Sequence, residues 1–419
     1  MEKNVSFSKS LQFTASPNYS KYVTIQTDPN GGAKYISFDW QKVRIALCES
    51  EQIALIDEFI ERTFSETDQV ASLVCGIIEN GAHELPDMFE WLIQKHPSLS
   101  VKVGSLVNKQ QTNAMRFSEY YERVMDTCEA GTYRMGPMDA LSMVGKKKEE
   151  CGDYFREYLK EMDRHKITGN MMPWGALSHY EAMNPKISDD GPIFWSRPGE
   201  QYFNTDEVNR AISNDKPLET PGGRRKNARR EIFFSDRTPA HADFVQDGVV
   251  RECTGAVGIL RGIKTPEERK SSPNDNRILK DIVCFSAKDM DNVVSLMQID
   301  LYEPPMSQCT TWIDEGKLNQ LRRFGVNYAH IQLKEDTIYF LPRKVIHQFR
   351  TVAACSTIAW HIRLKQYYQN EQYLDLAGIS SANDNKDEMI AEHFKTSASE
   401  KGRPSAFTTF EHIDWSKEP

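Results

Sequence analysis

Hydrophobic positions recur along this chain with two different periods, and each period predicts a different kind of element. Between residues 50 and 65 the apolar side chains fall three and four positions apart, which is typical of one face of an amphipathic helix. They are Ile53, Leu55, Ile56, Phe59, Ile60 and Phe64. Shorter helices are predicted around 84–95, 116–128 and 147–162. Residues 20–40 predict two strands instead, around the turn sequence DPNGG, because Asp, Asn and Gly favour turns.

The pattern changes after residue 171. Two aromatic segments broken by proline and glycine come first, MMPWGALSHYEAMNP and DDGPIFWSRPGEQYF, and short strand-like runs then dominate: REIFFSD, GAVGILRGI, KDIVCFSA, DTIYFLP, KVIHQFRTV and STIAWHIRL. Many short strands with turn residues between them favour a closed or double-sheet β fold, the class of jelly rolls and cupins. We therefore predict an α+β protein in which residues 1–170 form a mixed supporting region, 171–368 a β-rich core and 369–419 a tail.

Composition excludes some classes of protein. The 419 residues carry a net charge of −8, which argues against a general nucleic-acid coat protein and suits a basic partner. No apolar run approaches the roughly 18 residues of a membrane span, and the opening MEKNVSFSKS lacks the regions of a secretory signal. Eight cysteines without a C-x-x-C pair indicate mostly buried thiols in a reducing compartment.

One basic segment, GGRRKNARR, stands out against the acidic average. It is either a solvated loop or a patch that contacts phosphates or directs nuclear import. In the second interpretation, direct DNA contact would involve its five cations, which are Arg224, Arg225, Lys226, Arg229 and Arg230.

Two potential metal ligands, His241 and Asp243, lie two residues apart at the end of a strand-like run. Side chains at i and i+2 of a strand point to the same face, so both can bind one ion. A third candidate, His347, lies in a second strand-like run. Two histidines and one carboxylate cover one face of an octahedral ion and leave three positions open, as in non-haem Fe(II) oxygenases. The pattern predicts a metal centre of that kind.

Three longer stretches carry a family resemblance: RTPAHADFVQDG, PPMSQCTTWIDEGKLNQLRRFGVNYAHIQL and IYFLPRKVIHQFRTVAACSTIAWHIRLKQYY. They resemble the Jumonji-C family of Fe(II)/2-oxoglutarate oxygenases, and more narrowly its round spermatid basic protein branch. The similarity continues back through KVGSLV, YRMGPMDALSMVG, MMPWG and DGPIFWSRPGEQ, and covers roughly residues 20–368. It implies that the core is a double-stranded β-helix, a jelly-roll or cupin-like Jumonji-C core, with flanking N-terminal helices and strands.

By position, the resemblance assigns the iron ligands to His241, Asp243 and His347. Thr238 stands three residues before the first histidine, where a threonine often binds the distal carboxylate of 2-oxoglutarate in this family. Taken alone, the same threonine is equally consistent with a capped turn before Pro239.

The cosubstrate lysine is assigned less directly. KDIVCFSA resembles the strand that carries it, which points to Lys280. This lysine follows the first histidine at a greater distance than is usual, a difference that an inserted loop, TPEERKSSPNDNR, would explain. Arg261 in GILRGI is the alternative. His361 falls near the position where many relatives place an asparagine close to the cosubstrate, and a hydrogen-bonded core histidine is the other interpretation.

The implied activity is hydroxylation of an N-methyl group on a histone lysine, followed by loss of formaldehyde, with Fe(II), 2-oxoglutarate and O₂. The resemblance implies dimethylated lysine 20 of histone H4 in the nucleosome as substrate, a chromosome-associated complex as a further partner, and a nuclear location. The acidic chain agrees with a basic tail. A 2-oxoglutarate-dependent protein hydroxylase and a chromatin-binding scaffold with an idle iron site remain open.

The segment 171–203 also offers candidates for substrate binding. Asp189, Asp190 and Glu200 are predicted to be available to basic residues of the tail. An aromatic set either lines a channel for a methylated ammonium through cation–π contacts or belongs to the core. Its members are Trp174, Tyr180, Phe194, Trp195, Tyr202 and Phe203.

Overall fold

The structure is a computed structural model that describes residues 19–107, 111–145, 152–204, 231–247, 250–271, 276–300 and 312–368. The basic segment 222–230 and the tail 369–419 lie outside the described residues. The α-helices are α1 (Tyr19–Tyr22), α2 (Trp40–Ala46), α3 (Glu49–Thr63), α4 (Met88–Lys95), α5 (Phe117–Thr127), α6 (Gly152–Arg164), α7 (Pro266–Ser271), α8 (Met290–Met297) and α9 (Glu315–Arg323).

The strands are spread along the same residues, and the last four follow one another with no α-helix between them. They are β1 (Thr24–Thr27), β2 (Lys34–Asp39), β3 (Glu66–Thr67), β4 (Val70–Ala71), β5 (Gly76–Glu79), β6 (Ser100–Gly104), β7 (Thr112–Arg116), β8 (Met138–Ser142), β9 (Ile193–Arg197), β10 (Gln201–Asn204), β11 (Glu231–Phe234), β12 (Phe244–Asp247), β13 (Val250–Cys253), β14 (Gly255–Gly262), β15 (Ile278–Phe285), β16 (Tyr328–Lys334), β17 (Ile338–Leu341), β18 (His347–Thr351) and β19 (Cys355–Ile362).

Ten strands form one large sheet in the order β1-β2-β5-β17-β14-β19-β9-β8-β6-β7. The neighbours are antiparallel except for β2 and β5, which are parallel. The sheet is open, because β1 and β7 each have a neighbour on one side only. Its four central strands follow residue 171, and the strands on both flanks precede it. The N-terminal region therefore extends the sheet of the predicted core at both edges.

A smaller antiparallel sheet, β16-β15-β18, faces the large one. Between the two sheets lies an apolar cluster that includes Leu260 of β14, Ile282 of β15 and Leu333 of β16. Helices cover the outer faces. Phe59 of α3 packs with Val257 on the large sheet, while residues of α8 and α9 pack on the small one. The molecule is a mixed α+β structure in which the two sheets pack between layers of helices.

Several predicted elements are confirmed. The hairpin around DPNGG is β1 and β2, paired from Thr24 to Lys34, and the amphipathic helix is α3, with Phe59 fully buried. Ile53 is the exception on that helix at 45% exposure, because Gln52 takes the inward position one residue earlier. The predicted insertion between β14 and β15 contains α7.

Within the described residues no disulfide forms, and Cys75, Cys284 and Cys355 are buried thiols. Among the same residues, no helix combines the length and the apolar character that crossing a bilayer requires.

Candidate metal centre

His241, Asp243 and His347 come together between the two sheets. All three are buried, and one ligand atom from each lies within 4.8 Å of the others. The Nε2 atom of His347 is 3.9 Å from Oδ2 of Asp243, and the two imidazole centroids are 4.5 Å apart. In the part of the chain that the structure describes, no other group of three such side chains meets this criterion.

The backbone explains why the histidines meet. The amide N of His241 donates to the carbonyl of His347 at 3.0 Å, and the amide N of His347 donates to the carbonyl of His241 at 2.8 Å. Residues opposite one another in an antiparallel pair present their side chains on the same face. Both imidazoles therefore point to the interior between the sheets.

The chain before His241 runs along β18 with one extra residue. Asp236, Arg237 and Thr238 lie opposite Thr351, Arg350 and Phe349, whereas His241 lies opposite His347, one step out of that register. Pro239, which has no amide hydrogen to donate, falls in this irregular stretch, where a β-bulge is tolerated. The bulge allows Thr238 and His241, three residues apart, to share the inner face.

Each histidine has its Nδ1 engaged by a backbone carbonyl two residues earlier. The distances are 2.7 Å from His241 Nδ1 to Pro239 O and 3.0 Å from His347 Nδ1 to Val345 O. A carbonyl only accepts, so each Nδ1 carries the hydrogen and each Nε2 carries the lone pair. This orientation by a hydrogen bond on the other nitrogen is typical of metal-ligating histidine.

Burial also sets the protonation states that a metal needs. It lowers the pKa of His347 to about 4, and together with the charge of His347 it lowers the pKa of His241 to about 4. Burial raises the pKa of Asp243 to about 6, which the nearby His241 partly opposes. At neutral pH both imidazoles are neutral and the carboxylate is ionised, which is the form that binds a cation.

The donor set fits a divalent ion of the first transition series. Two imidazole nitrogens and one carboxylate oxygen suit Fe(II) with open positions. Donors at right angles on an ion with bonds of about 2.1 Å lie roughly 3 Å apart. The 3.9 Å between His347 and Asp243 therefore requires a closure of about 1 Å when an ion binds.

A cavity leads from the triad along the space between the sheets. The small-sheet side and the segment beside it contribute Asp236, Arg237, Thr238, Asp243, Lys280, His347, Phe349 and Thr351, and the large sheet contributes Trp195, Arg197, Ala256, Tyr339, Leu341 and Ala359. The triad lies at one end. At the other end, Lys280 is paired in register with Thr351, which lies one inward position beyond Phe349 and two beyond His347 along β18.

The two candidates for the cosubstrate cation have different surroundings. Lys280 is buried and lines the cavity, with Nζ 5.4 Å from the ring centroid of Trp195 and 5.6 Å from that of Phe349. Arg261 lies elsewhere: its Nη1 donates to Asp336 Oδ1 at 2.6 Å, and its Nη2 donates to the carbonyls of Ala82 and Leu85. Of the two, only Lys280 faces the cavity.

Thr238 and His361 also lie near the triad, in different roles. Thr238 lines the cavity, and its hydroxyl oxygen accepts a hydrogen bond from the amide of Phe349 at 2.9 Å. His361 is not among the lining side chains, and its Nδ1 is 2.7 Å from the Thr254 hydroxyl. Burial lowers the pKa of His361 well below its usual value, and Arg363, His241 and His347 lower it further.

The predicted substrate-binding residues are mostly used in other ways. Asp190 is buried and paired with Arg363, whose Nε is 3.1 Å from its Oδ2, and Glu200 is paired with Arg237. Asp189 alone of the three acids is exposed. Within the aromatic set, Trp195 lines the cavity, Tyr202 is 69% exposed, and Phe194 and Phe203 are core residues.

Sequence reasoning missed Arg197 and Asp236, which are buried at the Lys280 end of the cavity. One signal was present: Arg197 ends the otherwise apolar or neutral strand IFWSR, as Lys280 interrupts an apolar strand. No comparable signal marks Asp236, which reads as a turn residue before Arg237 and Thr238.

A scan against models of protein families finds no family that matches this chain.

Proposed function

We propose that this protein is an Fe(II)- and 2-oxoglutarate-dependent histone lysine demethylase of the Jumonji-C type. The observation that carries the proposal is a buried His-Asp-His triad at one end of a cavity with a buried lysine at the other. Among the described residues, no carboxylate lies within the ion-pair distance of Lys280 Nζ. A buried cation without such a partner is costly, and a bound anion would balance it.

The finer fold assignment is part of the same proposal. We infer a double-stranded β-helix from the strands around the triad. The strands β9-β19-β14-β17 of the large sheet face β16-β15-β18, which the chain from Asp236 to His241 extends by hydrogen bonds to β18. Two facing sheets of four antiparallel strands, with metal ligands between them, are the arrangement expected of a cupin-like core.

Each residue of the cavity would have a distinct role. His241, Asp243 and His347 would hold Fe(II), and the ion, when bound, would supply the O₂ activation that oxidises the N-methyl carbon. Lys280 would attract the distal carboxylate of 2-oxoglutarate, and the Thr238 hydroxyl, whose oxygen already accepts from Phe349, has its hydrogen to donate to the same group. Trp195, Tyr339 and Leu341 would exclude water.

The proposed substrate is dimethylated lysine 20 of histone H4, in the nucleus. The family resemblance supports it, together with the net charge of −8, which favours a basic tail. Hydroxylation of the methyl carbon gives an unstable hemiaminal, which loses formaldehyde and leaves the amine.

The test is formaldehyde release from a panel of methylated histone peptides. Release should require both Fe(II) and 2-oxoglutarate and should be greatest for the dimethylated lysine 20 peptide of H4. Mass spectrometry of the peptide separates the two enzyme classes, since demethylation removes a CH₂ group and stable hydroxylation adds an oxygen atom. Cosubstrate turnover with no change in any peptide would contradict the demethylase. Tight peptide binding without turnover would favour the scaffold.

A further inference from the structure

One buried ammonium group in the cavity lies over two aromatic rings that come from different sheets. Lys280, on β15, places its Nζ 5.4 Å from the ring centroid of Trp195 and 5.6 Å from that of Phe349. Trp195 belongs to β9 of the large sheet and Phe349 to β18 of the small one. All three side chains line the cavity and are at most 8% exposed. The ammonium is therefore in contact with aromatic faces from both sheets.

These contacts differ in kind from an ion pair. The quadrupole of a ring attracts the positive charge, but a ring face has no lone pairs comparable to those with which a carboxylate accepts N–H hydrogens. In the described part of the chain, no hydrogen-bond acceptor lies within bonding distance of Lys280 Nζ. The rings therefore hold the charge and leave the three ammonium hydrogens for a ligand.

A carboxylate in the same cavity competes with the rings for this ammonium. Asp236 is buried and lines the cavity together with Lys280. Burial raises the pKa of Asp236, while the charges of Arg197 and Lys280 oppose that effect, so Lys280 and Asp236 attract one another. Lysine has a flexible four-carbon stem, and an ion pair with Asp236 would engage its hydrogens. The rings oppose that movement, because leaving them loses both cation–π contacts.

Of the two rings, that of Trp195 gives the cleaner test. Phe349 also packs against His347 of the triad, with ring centroids 5.5 Å apart, and against Tyr339 at 5.3 Å. Its removal would therefore disturb the triad as well as the lysine. Trp195 lies opposite Thr357 in the pairing of β9 with β19, and neither strand carries a residue of the triad. Its indole is also the ring type that attracts a cation most strongly.

We propose that Trp195 is a positioning residue, whose indole face holds the Lys280 ammonium so that its hydrogens are presented to the distal carboxylate of an organic acid. The inference rests on the proposed function for the other end of that acid, which would chelate the metal. The cation–π contact expected of the aromatic set then has a different partner, since this ammonium belongs to the protein itself. Ordering the lysine before the ligand arrives reduces the entropy that binding costs.

The experiment measures how much the distal carboxylate contributes to binding. Calorimetry on the protein loaded with Ni(II), a redox-inert substitute, would compare 2-oxoglutarate with 2-oxopentanoate, which has a methyl group in place of the distal carboxylate. Both acids can chelate the metal, so the ratio of their affinities reports the interaction with Lys280. In Trp195→Leu this ratio should fall by about tenfold, equivalent to about 1.4 kcal/mol and within the range of a desolvated cation–π contact. Trp195→Phe keeps a ring and should retain most of the ratio.

Two controls separate positioning from general damage to the cavity. Leu341→Ala removes an apolar side chain from the same lining and should leave the ratio near the wild-type value. In a Lys280→Met background, Trp195→Leu should cause no further fall, because the ammonium that it positions is absent. Circular dichroism would establish that each variant is folded, and Trp195→Met tests the same loss of the ring if Trp195→Leu is not. An unchanged ratio in a folded variant without the ring, or an equal fall in the Lys280→Met background, would overturn the inference.

A metal-free arm separates this inference from the proposed function. Butyrate and its uncharged amide are alike in size and shape and lack the chelating keto acid, so the difference between them reports the Lys280 end alone. If Ni(II) does not bind, but butyrate protects the protein against thermal unfolding better than the amide and Trp195→Leu abolishes that difference, the positioning role stands and the proposed function fails. If Ni(II) and 2-oxoglutarate bind, but Trp195→Leu weakens 2-oxoglutarate and 2-oxopentanoate by the same factor, the proposed function stands and the inference fails.

Discussion

At the scale of single residues, Asp243 shows a conflict between stability and function. Burial raises its pKa to about 6, so the metal-free fold holds a carboxylate that would be more stable neutral. Asp243→Asn should therefore bind Ni(II) or Fe(II) at least about 100-fold more weakly, beyond the effect typical of outer-shell partners, without loss of stability in chelator. Metal titration and thermal unfolding would check both parts.

Asp281→Asn is the matched control for this prediction. Asp281 is also a buried carboxylate, but it faces away from the triad and is paired with Arg350. Its loss should lower the unfolding temperature and leave metal affinity near the wild-type value. An Asp243→Asn protein that still binds the metal with wild-type affinity would show that the triad is not the metal site.

Lys280 and Arg261 allow a second comparison between single residues. Removing one partner of a buried ion pair costs about 3–5 kcal/mol, or roughly two to three and a half orders of magnitude in affinity. We expect Lys280→Ala to weaken 2-oxoglutarate binding by that factor while the metal still binds. Arg261→Ala should leave the affinity unchanged and lower stability, because it removes the bonds to Asp336 and two carbonyls. Calorimetry with the two variants would show the reverse pattern if the assignment is wrong.

The sequence identified the triad but could not explain the spacing between Thr238 and His241. His241 and Asp243 at i and i+2 suit a regular strand, whereas Thr238 and His241 at i and i+3 do not. The bulge between them, visible in the register against β18, brings both to the inner face. A bulge has little sequence signal beyond Pro239, so the role proposed for Thr238 rests on family resemblance.

At the scale of elements, the segment from Asp189 to Phe203 shows that the role of a charged side chain depends on whether it forms an ion pair within the protein. Asp190 was predicted to be available to a basic substrate, but it is 3% exposed and bound to Arg363. Asp190→Asn should therefore lower the free energy of unfolding by about 3–5 kcal/mol, with Arg363 left buried. Chemical denaturation would measure it.

The exposed neighbour Asp189 provides the control. Surface charges contribute about 0.2–1 kcal/mol each, so Asp189→Asn should be as stable as wild type within that range. It should raise the Michaelis constant for a basic peptide modestly, and added salt should do the same by screening. Equal destabilisation by the two substitutions would mean that the pairing of Asp190 with Arg363 contributes nothing to stability.

The sequence was sufficient to predict two strands of the small sheet and the residues that face inward from them. KDIVCF and KVIHQF predicted β15 and β18, and their inward residues meet in register, with Lys280 opposite Thr351 and Cys284 opposite His347. The exposure of the acidic and aromatic side chains in the irregular segments could not be predicted in the same way. Their exposure depends on distant partners, as with Glu200 and Arg237, which no local pattern records.

At the scale of the whole molecule, the order of the strands in the large sheet could not be predicted from the sequence. Local periodicity predicts strands but not their neighbours, and β9 is separated from its partner β19 by more than 150 residues along the chain. The predicted boundary near residue 171 separates two sequence patterns, yet strands from both sides form one sheet. The supporting region and the core share that sheet and the apolar cluster beneath α3.

Stability of the whole fold should fall in mild acid, and His165 gives a measurable part of that fall. It is buried at 9% exposure beside Thr168, and burial lowers its pKa from 6.5 to about 4. The unfolded chain therefore binds a proton first as the pH drops. The stability due to the neutral side chain is present above pH 6.5 and is lost between pH 6.5 and about 4. At about 1.4 kcal/mol per pKa unit the loss is roughly 3 kcal/mol.

His165→Gln should remove this part of the pH dependence. We expect the free energy of unfolding, measured by denaturant in chelator, to decline less in the variant than in wild type over the same range, by up to about 3 kcal/mol. The buried histidines of the triad contribute equally to both proteins and cancel in the difference. His83→Gln is the control for the loss of a histidine, because its side chain is 52% exposed. Parallel declines in wild type and His165→Gln would show that His165 is protonated in the fold or accessible to water.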